Sequence, residues 1–114
     1  MTSPADELRA AAEALRALAA AASPGRWEQT GIGDIGWYVS GPCIETEDSE
    51  QGRADADYIA AMGPNVGTLL ADWLAKVADF CDGVERTHGK QPAADNLSIV
   101  DALAVARALT GGQL

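Results

Sequence analysis

The chain reads as an α+β protein: an N-terminal amphipathic helix, a small three-stranded antiparallel meander, and then two to three helices packed on that sheet. Three observations predict it. Apolar residues recur at three- and four-residue steps from Pro4 to Ala22, the period shortens to two between Arg26 and Glu47, and the helical period returns from Ala54 onwards.

The first helix carries its own start and stop. Ser3 is a good N-cap, Pro4 suits the first helical position, and Asp6 completes an approximate capping box near the positive end of the helix dipole. Leu8, Ala11, Ala12, Leu15, Leu18, Ala19 and Ala22 share a packing face, while Arg9, Glu13 and Arg16 lie opposite and can pair with one another. Pro24 and Gly25 end the helix by removing a donor and supplying a flexible exit.

In the period-two stretch, Trp27 leads one strand, Ile35, Trp37 and Val39 share a face of the next, and Gly41-Pro42 turns into a third run from Cys43 to Thr46. So small a sheet is marginal alone, so its apolar face, read as Trp27, Ile35, Trp37 and Val39, must lie against helices.

The C-terminal half opens with a helix from Asp55 to Met62, in which Asp55 and Asp57 favour the first turn, and breaks at Gly63-Pro64. A longer helix follows with Val66, Leu69, Leu70, Trp73, Leu74, Val77, Phe80 and Cys81 on one stripe, an Asp72–Lys76 pair on its wet side, and Gly83 at its end. A loop from Val84 to Asn96 leads to a last helix, about Leu97 to Leu109, capped by Ser98 and Asp101. That helix is apolar on nearly every side, which predicts a second cover and hence a homodimer through the C-terminal helices, most simply of C2 symmetry. Trp27, Trp37, Tyr38, Tyr58, Trp73 and Phe80 all fall in structured segments and are expected to anchor the core.

With 114 residues, one domain spanning 1–114 is expected. The net charge of −9 argues against direct binding of duplex nucleic acid, which relies on clustered Lys and Arg. An acidic chain can instead imitate DNA and inhibit a basic host surface, although acidity more often serves solubility. No apolar run is long enough to span a membrane and no leader-like block opens the chain, so a soluble, unsecreted protein of the bacterial cytoplasm is expected.

The motifs of the kind that carries chemistry elsewhere have structural readings here. Cys43 and Cys81 are too few for a disulfide scaffold and lack metal-site spacing; Cys81 reads as a small core hydrophobe and His88 as an exposed loop residue. Gly31-Ile32-Gly33-Asp34-Ile35-Gly36 matches G-x-G-x-x-G, but a strand rather than a helix follows, so a tight or bulged hairpin is the better account than a dinucleotide loop. The acidic residues between Glu45 and Asp57 miss calcium-loop spacing and read as a solvated connector. No catalytic residue, metal site or cofactor emerges.

Three segments together carry a resemblance: Ser23-Pro24-Gly25-Arg26-Trp27, then Ala54-Asp55-Ala56-Asp57-Tyr58-Ile59-Ala60-Ala61-Met62, then Ala102 to Leu109. Their succession resembles small proteins of actinobacterial phages and prophages that are similar to the phage Ead-like early proteins, with Arg26 where the family more often has a second proline. The resemblance implies mobile-element origin and an accessory role, such as countering host defence; it carries over no catalytic residues.

The function expected is therefore non-enzymatic binding of a host component. The alternatives are a small-ligand sequestering protein, for instance for a nucleotide signal, and a DNA-mimic inhibitor. The candidate binding residues are Arg26, Trp27, Trp37, Tyr38 and Arg53, which offer charge-assisted hydrogen bonds and aromatic surface.

Overall fold

In the computed structural model, which describes residues 2–111, eight elements follow one another. They are α1 (Pro4–Ala21), β1 (Glu28–Ile32), β2 (Trp37–Ser40), β3 (Ile44–Glu45), α2 (Glu50–Ala61), α3 (Pro64–His88), α4 (Lys90–Asp95) and α5 (Leu97–Thr110). The α+β order holds, with the sheet a meander in the order β1-β2-β3 and both pairings antiparallel. Contacts divide the chain into two units, one made of the residues up to Arg16 with those from Leu69 onwards, the other Ala17–Thr68.

In the first unit the helices meet through small side chains. Ala5, Leu8, Ala11 and Ala12 of α1, Ala71, Leu74, Ala78 and Cys81 of α3, Ala93 of α4, and Ile99, Ala102 and Ala106 of α5 are all buried in one cluster. The expected aromatic anchors stand outside this cluster: Trp73 and Phe80 are exposed, and outside this unit Tyr58 is too. Burial pushes the Cys81 thiol above its ordinary value, with the Glu85 and Asp82 charges adding to the shift.

Charged residues stitch the rims of this unit. Arg9 donates to Asp79 and Asp82 at 2.9 and 2.6 Å, Arg16 to Asp72 at 3.0 Å, and Arg107 to both carboxylate oxygens of Glu7. Arg9 and Arg16 thus reach across to α3 instead of pairing with Glu13, and Asp72 takes Arg16 in place of the expected Lys76. These pairs are largely solvated, so each adds little to stability.

Boundaries shift where cap chemistry overrides the pattern. Ser49, not the Ala54 region, starts α2: its hydroxyl accepts from the Gly52 amide, so Asp55 and Asp57 sit beyond the first turn. Gly83 stays inside α3, which runs on to His88 and breaks at Gly89, whose φ of +89° leaves the helical region. The stretch read as a loop folds largely into the end of α3 and α4. Asn96, rather than Ser98 with Asp101, caps α5 by accepting from the Ser98 and Ile99 amides.

The second unit is built on the meander. Val39 and Gln29 pair across β1 and β2, with a bulge between Gln29 and Gly31, and Ile44 pairs with Val39 on β3. Helix α2 packs on this sheet and brings buried Gly52 and Ala56 to the same unit as buried Val39. Ile35, expected on the packed face, lies instead in the β1–β2 turn and is 79% exposed.

A cleft beside the first strand

The chain leaves α1 through Pro24 and Gly25, whose φ of +90° lets it swing into β1. This presents Arg26 and Trp27 at the strand's entrance. The Trp27 indole N–H donates to the Ser23 carbonyl at 2.9 Å, which fixes the ring. Two glycines close on it. A Cβ at Gly63 would stand 3.1 Å from the ring's Cγ, and one at Gly41 would press on Cδ1 more tightly still. Trp27 is held from the α1–β1 link, the β2–β3 turn and the α2–α3 junction together.

Around that ring lies an open cleft of about 550 Å³. Gly25 to Gln29 form one wall, Asp57, Ala60 and Ala61 of α2 another, and Gly63, Asn65 and Val66 the end where α3 begins. Gln29 is pinned as a bridge: its amide nitrogen donates to Asp57 at 3.0 Å and its oxygen accepts from the Gly31 amide. Arg26 stands 3.6 Å from Glu28 with its side chain 81% exposed, so it is free to reorient. The lining thus offers one guanidinium, two carboxylates, two amide side chains and an indole over a floor of small apolar residues.

The five sequence candidates separate. Arg26 and Trp27 come together in the cleft, but Trp37 and Arg53 satisfy each other, the guanidinium stacking 5.1 Å from the ring centroid. Tyr38 lies beside Cys43, and that contact, ahead of desolvation and the Glu45 charge, raises its phenol above the ordinary value. Glu28, Gln29, Asp57 and Asn65 were not legible as site residues. The only local hint was Gly63-Pro64, a break that turns the chain back beside Trp27.

The glycine motif has a different occupant from any ligand. The Glu45 carboxylate accepts from the Asp34 and Ile35 amides at 2.7 and 2.9 Å and lies against Gly33, while Gly33 donates to Gly36 across the turn. The amides that a phosphate loop would present are already held by the protein's own anion, in a bulged hairpin.

A second surface lies on α3. Leu69, Trp73 and Phe80, spaced by four and seven residues, fall on one side of the helix with Lys76 between them and are all exposed. On α5, Leu97, Val100 and Leu109 are exposed as well. His88 is exposed at the end of α3, and Cys43 is exposed at φ +56°. Among the described residues no group of three His, Cys, Asp or Glu could hold a metal ion, and no helix is long and apolar enough to cross a membrane. Comparison with protein-family models, with curated proteins and with solved structures returns no match.

Proposed function

We propose that this is a binding protein of phage or prophage origin that works without turnover and engages a component of its bacterial host through the Arg26–Trp27 cleft. The single observation that supports it is the convergence, around a fixed indole, of a mobile guanidinium, carboxylates and amides over a small-residue floor. The lining has no Ser, Cys, His or Lys side chain, and of its two carboxylates Asp57 accepts from Gln29 while Glu28 lies beside Arg26. The origin and a role against host defence rest on the three-segment resemblance, and action in the host cytoplasm follows from them.

The test is affinity capture from an actinobacterial host with the wild-type chain, Glu28→Lys and Asp57→Lys, both changes on exposed side chains. A partner held by the wild type and lost by both variants is the expected result; a partner held equally by all three removes the cleft from recognition. A second reading, sequestration of a small ligand, is supported by the cleft's volume, within the roughly 300–1,000 Å³ of small-molecule sites. It predicts a stabilising thermal shift with a nucleotide, abolished by Arg26→Ala and unchanged by Arg53→Ala, whose guanidinium is committed to Trp37.

We further propose that two copies pair through the C-terminal helices, supported by the uncovered Leu97 and Val100, one turn apart on α5. Light scattering would then give about twice the chain mass of 11.8 kDa; a monomer at all concentrations would overturn the pairing.

A further inference from the structure

Resting on the proposal that the cleft is the binding surface, we propose that its occupant is an extended, basic segment of a protein partner. The segment would lie along the open edge of β1 with a Lys or Arg side chain against Trp27 and between Glu28 and Asp57. Three observations carry this.

The first is charge. Between Ala17 and Thr68 eight carboxylates face only two arginines, so this unit holds most of the chain's net negative charge. Seven of the eight carboxylate residues are exposed, Glu45 alone being half-buried over the β1–β2 turn. Arg53 is stacked on Trp37 and Arg26 has Glu28 beside it, so the surface that a ligand meets repels anions and attracts cations. At the cleft itself the balance of Glu28 and Asp57 against Arg26 is also negative.

The second is the aromatic. An indole ring attracts a cation by its quadrupole, and with Glu28 and Asp57 lining the same cleft it suits a Lys or Arg head group and not a phosphate. Trp27 cannot rotate away, because Ser23, Gly41 and Gly63 hold it. The third is the edge. β1 has β2 on one side and no strand on the other among the described residues, and its entrance forms one wall of the cleft. Across from it α2 presents Ala60 and Ala61, which leave room for a main chain to approach. Addition of an extended chain to such an edge is a recurrent mode of peptide recognition. The bulge between Gln29 and Gly31 ends straight pairing, so added pairing is confined to the Arg26–Gln29 end.

The experiment compares two synthetic heptapeptides, one of alternating valine and lysine and one of alternating valine and glutamate. Binding to the full chain is followed by isothermal titration and by amide chemical shifts. The basic peptide is expected to bind at least tenfold tighter, to shift the amides of Arg26 to Gln29 and of Asp57 to Ala61, and to weaken with salt. Glu28→Lys with Asp57→Lys should weaken it tenfold or more, whereas Glu47→Lys with Asp48→Lys, which changes charge equally outside the cleft, should weaken it less than threefold. Equal loss in both double variants, equal binding of the acidic peptide, or no binding of either overturns the proposal. If host capture still depends on Glu28 and Asp57 while the basic peptide fails, the occupant is wrong and the cleft reading survives.

Discussion

Gly52 shows how a single position can reverse an ordinary preference. Inside a helix, alanine is normally better than glycine by about 1 kcal/mol. Here a Cβ at Gly52 would drive into the Glu47 main chain, just upstream of the Ser49 cap, and backbone cannot step aside as a side chain can. Gly52→Ala should therefore destabilise the protein by about 1–3 kcal/mol, read as a lower midpoint in urea. Asn96→Ala should cost about 1 kcal/mol, because two α5 amides lose their acceptor. Restoring the cap with Asn96→Asp should recover most of that loss in the same assay. The thiols divide by burial: iodoacetamide should label Cys43 readily and leave Cys81 unreacted until denaturant is added. Stability should also depend on pH through Cys81. Its folded value lies above that of the unfolded chain, so the unfolded state loses the proton first, and stability present below the ordinary value of 9.0 is lost as pH rises past it. Urea melts at rising pH would show the decline, and Cys81→Ala would flatten it while lowering stability overall.

Among elements, the β1–β2 hairpin depends on a residue outside it. Glu45 belongs to β3 yet occupies the turn amides of Asp34 and Ile35, so Glu45→Ala should loosen the hairpin tip and not only shorten β3. The expected cost is about 1–3 kcal/mol, with faster hydrogen exchange at Asp34 and Ile35 as the local signature. The meander itself was legible, because Trp37 and Val39 alternate with polar neighbours and Gly41-Pro42 marks a turn. The clamp was not, since nothing in the local pattern distinguishes a glutamate that reaches ten residues back from one that faces water. Helix ends were misplaced for a similar reason. Ser49 and Asn96 win their caps by backbone geometry that apolar periodicity does not record, and Gly83 and Gly89 look alike in sequence although only Gly89 takes positive φ. The cleft was half legible: Arg26 and Trp27 stand out by type, whereas Gln29 and Asp57, 28 residues apart, meet only because α2 lies on the sheet.

For the molecule as a whole, the sequence pattern located apolar faces correctly as faces but misjudged which side chains fill them. On α3 the apolar arc is wider than its own unit covers, so Ala71, Leu74 and Ala78 went inward and Leu69, Trp73 and Phe80 stayed out. Bulky residues were expected inside because they gain most from leaving water, yet the buried cluster is filled by alanine, aliphatic side chains and Cys81 and holds no ring. The alanines of this interior have almost nothing to trim, unlike Leu8, Leu74 and Ile99 in the same cluster. Random variation at Ala5, Ala11, Ala78, Ala102 or Ala106 can therefore do harm chiefly by adding bulk, and a saturation library should tolerate serine there while rejecting valine and leucine.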